Sequence, residues 1–262
     1  NFERPEVYHL YFGNERGDPG TIITFFPWPK LRKGRIGTKQ LGVIVFTIPH
    51  GSYAFWKGRL RKLQIPFKQT ERFGEEYLVL KDPDGLTLEL VERNVGMHSK
   101  ISDDYAIQGF AGAVLYSTHP NQTKEILEDL LGMKYEAINE NYIRLSTEAG
   151  NTIDITIDHP VRGLAGAGTV HHIAWEVKDE KELRKWHSIL EEKGLEPTEI
   201  KDRKYFKSLY FEEPGEIQFE LATNVPGFTV DEEVAELGTK LMLPSWLEPK
   251  RKDLEEKLPP IQ

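Results

Sequence analysis

Cysteine is absent from the 262 residues of this chain. Its absence excludes disulfide bonds, thiolate metal sites, iron–sulfur clusters and a cysteine nucleophile. Any metal ion would have to be held by histidine, aspartate, glutamate or tyrosine side chains. Eight histidines and 42 acidic residues are available for that purpose.

Blocks of like charge and long apolar runs are absent too. The 34 basic and 42 acidic side chains give a formal charge of −8, which argues against a nucleic-acid-binding face or a polybasic membrane patch. No apolar run approaches the ~20 residues of a membrane-spanning helix, and nothing at Asn1 resembles a signal peptide. We expect a cytoplasmic protein with no nucleic-acid or membrane partner, built as one large domain or two smaller ones.

A strand–helix–strand–turn–strand order recurs along the chain. Alternating apolar residues predict the strands, and turns rich in glycine, proline and aspartate separate them. Such self-similarity is typical of repeat architectures. The predicted units are residues 1–30 (the remainder of module 1, a hairpin), 40–93 (module 2), 107–158 (module 3), 168–223 (module 4) and 224–262 (C-terminal tail), with a polar linker over 94–106.

The two ends of the chain differ from the repeat. Residues 6–13 and 21–26 predict a hairpin with no element before it. This start predicts that a strand and a helix upstream of Asn1 complete module 1. The tail is expected to pack over module 4, and a solvated tail stays open because residues 250–257 are highly charged.

Only module 4 combines a histidine and a carboxylate in the repeat comparison. An offset of 131 places Glu89 of module 2 over Glu220, and Leu41 over His172. Counting from the turn glycine places Ile155 of module 3 at the carboxylate position, and module 1 has an aromatic residue there. The comparison indicates one chemically equipped module with supporting copies, in which Glu89 is structural.

Strand alternation predicts which side chains of module 4 converge. In residues 170–177, neighbouring side chains point to opposite faces, so His172 faces the pocket while His171 lies with the apolar core residues. The same alternation places Glu220 and Tyr210 on the pocket side of the following hairpin. One imidazole and one carboxylate on adjacent strands are two-thirds of a facial metal site. From spacing alone, a half-exposed histidine pair and a solvated glutamate stay open as the alternative.

Several motifs occur together with the repeats. They are His171-His172-Ile173-Ala174-Trp175, Asp202-Arg203 with Tyr205-Phe206, the Pro214-Gly215…Phe219-Glu220 hairpin, the Tyr8 to Thr21 hairpin, and Gly227-Phe228…Leu237-Gly238. With the βαβββ order, they resemble the vicinal-oxygen-chelate superfamily of glyoxalases, bleomycin-resistance proteins and extradiol dioxygenases. The first hairpin and the tail are similar, more narrowly, to its four-module ring-cleaving dioxygenases of the hydroquinone type. The resemblance covers nearly the whole chain.

The resemblance implies a fold, a metal and a reaction. The fold is α+β, with tandem βαβββ modules forming two half-barrel-like sheet pairs, module 1 with module 4 and module 2 with module 3. The implied metal, Fe(II) or alternatively Mn(II), is held by His172, Glu220 and a histidine upstream of Asn1. Tyr210 carries over as a hydrogen-bonding acid or base, and Arg203 as the cation that offsets negative charge. The implied substrates are O2 and a small hydroquinone- or catechol-like aromatic, and a homo-oligomer is compatible with them.

Two other functions stay open at this stage. The same scaffold supports a metal-dependent isomerase or lyase of the glyoxalase type. A metal-free small-molecule binding or resistance protein is the third candidate, because the expected third ligand lies outside this sequence. His9 is undecided between lining the pocket and capping the first hairpin.

Overall fold

The computed structural model describes residues 1–93 and 105–260. The strands are β1 (Leu10–Phe12), β2 (Ile23–Phe25), β3 (Gln40–Ile48), β4 (Phe67–Arg72), β5 (Glu75–Lys81), β6 (Thr87–Glu92), β7 (Gly109–Tyr116), β8 (Lys134–Ile138), β9 (Tyr142–Ser146), β10 (Thr152–Thr156), β11 (Ile173–Val177), β12 (Lys201–Asp202), β13 (Lys207–Glu212) and β14 (Gln218–Thr223). The α-helices are α1 (Tyr53–Lys62), α2 (Pro120–Glu125, continued by a π-helical turn over Ile126–Leu130), α3 (Glu180–Glu192) and α4 (Arg251–Lys257). The fold is α+β, as predicted. Across both ranges, every helix is too short or too polar to span a bilayer.

An eight-stranded sheet joins residues of modules 2 and 3 in the order β4-β5-β6-β3-β7-β10-β9-β8. In each module the first strand pairs in parallel with the last, β3 with β6 and β7 with β10. The two first strands, β3 and β7, then pair antiparallel with each other. Central strands of this kind are covered on both faces, which explains the almost continuous apolar sequence of β3.

Module 4 forms a separate four-stranded sheet in the order β11-β14-β13-β12. Its first and last strands, β11 and β14, pair in parallel, and β13 pairs antiparallel with β14. The hairpin β1–β2 is a two-stranded sheet of its own. The predicted pairing of module 1 with module 4 stays a prediction.

Helix α3 supports the module 4 sheet through one apolar stripe. The Asp179 side chain accepts a hydrogen bond from the backbone N–H of Glu182 (2.9 Å), which caps the start of the helix. Leu183 and Leu190 lie seven residues apart on the inner face and are fully buried. Gly194, with φ of 73°, ends the helix in a left-handed conformation. The same core cluster contains residues of modules 3 and 4, so the β13–β14 hairpin lies on a rigid base.

Two connecting segments, 31–38 and 161–169, cross with their backbones in contact. Isolated β-bridges join them, and each segment carries glycines at the crossing. A Cβ at Gly37 would lie 2.3 Å from the carbonyl oxygen of Val161, and one at Gly163 would lie 2.4 Å from the opposite backbone. Only glycine permits this approach, so these glycines allow the two backbones to pair directly.

Several element boundaries differ from the sequence prediction. Strand β11 begins at Ile173 and not at residue 170. The edge strands β4, β8 and β12 were not predicted. β4 and β12 are largely polar sequences, and β8 is a short strand that is mostly exposed. The predicted linker 94–106 lies, except for its last two residues, outside the described residues.

Strand pairing also corrects the repeat comparison for module 2. Glu89 occupies in β6 the place that Glu220 occupies in β14. Counting back along the paired first strands puts Val43, and not Leu41, at the place of His172. The chain runs 44 positions from Val45 to its partner Glu89 but 46 positions from Ala174 to its partner Glu220. The segment between the first and last strands is therefore two residues longer in module 4, which a fixed offset cannot follow.

The comparison for module 3 needs a similar correction. Asp154, and not Ile155, occupies the place of Glu220. The reason is that Gly150 is the fourth residue of its five-residue turn, whereas Gly215 is the third of its own. Modules 2 and 3 therefore both carry a carboxylate at this position, although neither carries a histidine at the place of His172.

Arginines neutralise these two additional carboxylates. Arg72 lies between them, with Nη2 2.7 Å from Oε2 of Glu89 and Nε 2.7 Å from Oδ2 of Asp154. Arg144 binds the other oxygen of Asp154 (2.7 Å) and also Glu75 (2.6 Å). Buried charges are stable only when they are paired in this way. In modules 2 and 3, a guanidinium group thus occupies the point where the carboxylates converge, and Glu89 is structural.

The tail packs against module 4 and is not solvated along its length. Leu243, Leu247 and Leu254 form a small buried cluster between the tail segments. Nζ of Lys204, in the turn before β13, donates a hydrogen bond to the carbonyl oxygen of Leu243 (3.0 Å). Of the two alternatives for the tail, the packed arrangement is the one observed.

Candidate metal centre

His172 and Glu220 meet where β11 and β14 run side by side. Glu220 lies in the middle of β14, opposite Ala174 of β11, and His172 directly precedes β11. Nε2 of His172 lies 3.0 Å from Oε2 of Glu220. The side chain of Glu220 is 4% exposed and that of His172 is 20% exposed. The imidazole therefore reaches a buried carboxylate from the rim of the sheet.

The second carboxylate oxygen of Glu220, Oε1, is buried and has no hydrogen-bond partner among the described residues. Buried polar atoms are almost always paired, so this oxygen marks a position suited to a cation. Burial alone would raise the pKa of Glu220, but His172 and the hydroxyls of Tyr210 and Ser208 outweigh it and hold the pKa below its usual value. The carboxylate is therefore anionic at neutral pH with one oxygen free.

An imidazole nitrogen and a carboxylate oxygen are a donor set that suits Fe(II) or Mn(II). In residues 1–93 and 105–260, no group of three or more histidine, aspartate or glutamate side chains is arranged to hold a metal ion. The described residues therefore offer two protein ligands at this centre. The third ligand predicted upstream of Asn1 stays a prediction.

Tyr210 lies beside this pair because of the register of the β13–β14 hairpin. It is directly opposite Glu220, and its ring centre is 5.4 Å from that of His172. Ser208, two residues away on the same face, donates a hydrogen bond to the Tyr210 hydroxyl oxygen (3.4 Å). Burial, together with the nearby Glu220 carboxylate, raises the pKa of Tyr210 to about 12. Tyr210 therefore keeps its proton at neutral pH and can donate a hydrogen bond.

Arg203 lies in the tight turn before β13, whose backbone is closed by a hydrogen bond from Arg203 N–H to the Phe206 carbonyl (2.9 Å). Its guanidinium carbon is 5.7 Å from the centre of the Tyr210 ring, and Nη1 lies 3.2 Å from a carboxylate oxygen of Glu3. Burial alone would lower the pKa of Arg203, but Tyr210 and Glu3 raise it. The group is a permanent positive charge at the edge of the centre.

His171 is exposed, and its predicted burial in the core is wrong. Its Nδ1 lies 2.8 Å from Nδ1 of His172, so one imidazole donates a hydrogen bond to the other. The alternation that predicted burial does not extend to His171, because β11 begins only at Ile173. His171 orients the ring of His172 from the solvent side.

His9 contacts aromatic residues of the first hairpin. It stacks on Phe26 (4.3 Å between ring centres), and its Nδ1 lies 2.7 Å from the Tyr11 hydroxyl. Burial, with smaller contributions from the N-terminal ammonium, Arg203 and His172, lowers the pKa of His9 to about 3, so the ring is neutral. Both roles considered for His9, lining the pocket and capping the hairpin, stay predictions. Tyr11 was missed as a site residue, although its position on the same strand face as His9 was the signal available.

The chain resembles known proteins in both sequence and structure. The family described as the glyoxalase/bleomycin resistance protein/dioxygenase superfamily matches residues 109–221. Over the whole chain, the sequence is 45% identical to a Bacillus subtilis (strain 168) protein described as a candidate ring-cleaving dioxygenase, MhqO, covering 86% of that protein. The chain belongs to this superfamily. A second relative of the same description and organism, MhqE, is 42% identical over the whole chain and 88% of its own length.

Other members of the superfamily agree in sequence and fold. A Sphingobium indicum protein named chlorohydroquinone/hydroquinone 1,2-dioxygenase is 31% identical over 92% of this chain and 80% of its own length. The crystal structure of a candidate dioxygenase from Bacillus subtilis matches with a TM-score of 0.94 at 45% identity, covering 100% of this chain and 87% of that one. These matches confirm the α+β fold of tandem modules and the resemblance on which the sequence prediction depended.

Proposed function

We propose that this chain is a metal-dependent ring-cleaving dioxygenase that inserts O2 into a hydroquinone- or catechol-like aromatic. The observation that supports it most strongly is the buried His172–Glu220 pair with an unpaired carboxylate oxygen. Tyr210 lies beside that pair and Arg203 lies beside Tyr210, so a proton-bearing group and a positive charge adjoin the proposed metal position. The similarity to proteins described as ring-cleaving and hydroquinone dioxygenases supplies the substrate class.

Iron(II) is the metal that we propose first, with Mn(II) as the alternative, and His172 and Glu220 would hold it. When bound, such a metal would supply Lewis-acid activation of a phenolic hydroxyl and the redox chemistry that O2 requires. The remaining requirements of the reaction fall on the protein's own side chains.

Tyr210 and Arg203 have complementary tasks in this proposal. The protonated Tyr210 hydroxyl can donate a hydrogen bond to a phenolate oxygen of the substrate. The positive charge of Arg203, next to the same ring, favours an anionic substrate over a neutral one. Together they lower the energetic cost of holding a deprotonated diphenol in a partly buried site.

His9 is the residue that we propose as a hydrogen-bond partner of the substrate. Burial keeps its ring neutral, so an unprotonated outward nitrogen can accept a hydrogen bond from a phenolic hydroxyl. The Tyr11 hydroxyl binds the other nitrogen and fixes the ring orientation. In this proposal Tyr210 donates a hydrogen bond to the substrate and His9 accepts one.

The overall reaction balances without a further reductant. One ring carbon–carbon bond breaks, two carbon–oxygen double bonds form, and both atoms of O2 enter the product. The two electron pairs that reduce O2 come from the diphenol itself. An electron-rich ring is therefore required, which favours hydroquinones and catechols over benzoates or simple phenols.

The test is oxygen uptake by protein loaded anaerobically with Fe(II) and then supplied with O2 and a panel of hydroquinone, chlorohydroquinone, methylhydroquinone and catechol. We expect one O2 consumed for each ring opened, followed by the absorbance of the ring-opened product. No uptake and no new absorbance with the whole panel would contradict the proposal. Turnover of a hemithioacetal without O2 would support the isomerase instead, and diphenol binding without metal or turnover would support the binding protein.

A further inference from the structure

The segment that follows β14 crosses from module 4 to the first hairpin. Gly227 donates a backbone hydrogen bond to the carbonyl oxygen of Tyr205 (2.8 Å), and Asp231 forms an ion pair with Lys204. Between these two attachments, residues 228–230 form a short 3-10 turn. We call residues 227–231 the strap. It is fixed at both ends to the turn that precedes β13.

Phe228 is the side chain of the strap that reaches the hairpin. Its ring centre lies 5.0 Å from that of Tyr11 and 4.9 Å from that of Tyr205. A Cβ at Gly17, in the turn between β1 and β2, would lie only 2.7 Å from the Phe228 ring, and Gly17 has φ of 66°. The hairpin therefore has space for the Phe228 ring only because residue 17 is glycine.

Tyr11 links Phe228 to His9, because it contacts both side chains. Tyr11 meets the Phe228 ring edge to face, at 63° between the ring planes. The same tyrosine binds Nδ1 of His9 through its hydroxyl and packs against the His9 ring, with 4.1 Å between the ring centres. A shift of Phe228 would therefore move Tyr11, and a shift of Tyr11 would move the His9 imidazole.

The hairpin needs such support because it is small. β1 and β2 have three residues each, and within the described parts of the chain they pair only with each other. A two-stranded hairpin is marginally stable by itself. Packing against the strap is therefore a major constraint on the position of His9.

We propose that Phe228 is a positioning residue: it clamps Tyr11 between the strap and the hairpin, and thereby holds His9 in place for the reaction on the bound diphenol. The catalytic part of this inference rests on the proposed function, whereas the clamp itself does not. Misplacing a reacting group by about 1 Å can reduce a rate about 10²-fold. We expect the clamp to act on the rate of the chemical step more than on substrate binding.

The test compares Phe228→Ala with Phe228→Tyr, which keeps the ring, and with Val230→Ala, a control at a 53% exposed position of the same strap. Hydrogen exchange at the amides of residues 8–12 and the NMR signals of the His9 ring are measured first, on protein without added metal. Oxygen uptake with hydroquinone then gives kcat and KM for each variant.

We expect Phe228→Ala to speed amide exchange in residues 8–12 at least tenfold and to broaden or shift the His9 signals, while Phe228→Tyr and Val230→Ala leave both unchanged. We expect kcat to fall about 10- to 100-fold in Phe228→Ala alone, with KM changed less than threefold. Unchanged exchange and His9 signals in folded Phe228→Ala would overturn the clamp. Altered signals with unchanged kcat would overturn the positioning role, and inactive wild-type protein would refute the proposed function while the exchange result still decided the clamp.

Discussion

One carboxylate position has two uses in this chain, and the neighbouring residue decides which use applies. Glu89 gives both oxygens to the guanidinium group of Arg72, at 3.1 and 2.7 Å. Glu220, at the equivalent place, has Oε2 3.0 Å from an imidazole nitrogen, while Oε1 has no hydrogen-bond partner among the described residues. A bidentate guanidinium satisfies a carboxylate fully, whereas a single imidazole does not. We therefore expect Glu220, and not Glu89, to bind a metal.

Removal of the Tyr210 hydroxyl should impair the reaction without affecting the metal. We expect Tyr210→Phe to lower kcat for ring cleavage about 10²-fold, because general acid–base groups contribute about that much. Fe(II) affinity should stay within about twofold of wild type. Steady-state oxygen uptake and an anaerobic metal titration measure the two quantities. Tyr135→Phe, at an exposed position of β8, is the control, and an unchanged kcat in Tyr210→Phe would exclude it as the proton donor.

The site residues differ in how far the sequence could place them. Tyr210 and Glu220 could be matched because a short turn sets the register of their hairpin. The exposure of His171 could not be predicted, because alternation holds only within a strand and nothing in the local pattern marks Ile173 as the start of β11. Tyr11 acts through a contact with His9, which alternation permits but does not reveal.

At the scale of elements, the interlocked connections at 31–38 and 161–169 should be intolerant of side chains. We expect Gly37→Ala to lower the free energy of unfolding by about 1–3 kcal/mol, because its Cβ would lie 2.3 Å from a backbone oxygen that cannot rotate away. Gly58→Ala, in α1 with no atom within 4 Å of the new Cβ, should instead raise it by about 0.5–1 kcal/mol. Urea unfolding of both variants measures this, and equal effects would contradict the crossing.

Strands and helices were predicted correctly where a periodic apolar pattern is strong. They were missed where pairing with a neighbouring strand determines the structure. The strand β3 and the helix α3 carry long apolar patterns and were predicted within a few residues. The edge strand β4 has the sequence FKQTER, whose pairing with β5 provides the order that its polar composition does not predict. The repeat comparison failed by two residues in module 2, where the segment between the first and last strands is shorter, and by one residue in module 3, where the glycine sits at a different place in the turn.

At the scale of the whole molecule, acid should weaken the half that carries the arginine network. Burial alone would raise the pKa of Glu75 from 4.5, but Arg93, Tyr77 and Arg144 lower it to about 2. Because the folded-state pKa lies below the unfolded one, the stabilisation is complete above about pH 4.5 and is lost as the pH falls toward 2.

We expect the urea midpoint to fall steeply between pH 4.5 and 2, with at most about 3 kcal/mol of that loss due to Glu75. Glu75→Gln should flatten this part of the profile, and Glu71→Gln, at an exposed position of β4, should not. A profile with the same slope in all three proteins would show that Glu75 does not carry the acid sensitivity.

The modules differ in whether their buried carboxylates are neutralised by arginine. Modules 2 and 3 share one sheet and neutralise their carboxylates internally, while module 4 keeps a carboxylate available next to a histidine. The core of module 3 continues into module 4. We therefore expect modules 2 and 3 to stabilise module 4, which we propose to be catalytic.

The measurement that tests the metal centre most directly is the Fe(II) affinity of the chain, determined anaerobically by competition with a chromophoric chelator. We predict that Glu220→Gln weakens Fe(II) binding at least about tenfold, since even outer-sphere changes at metal sites cost about that much. The control is Glu212→Gln, at the exposed end of β13, which should bind as wild type does. Equal Fe(II) affinity in wild type and Glu220→Gln would contradict the assignment of this centre.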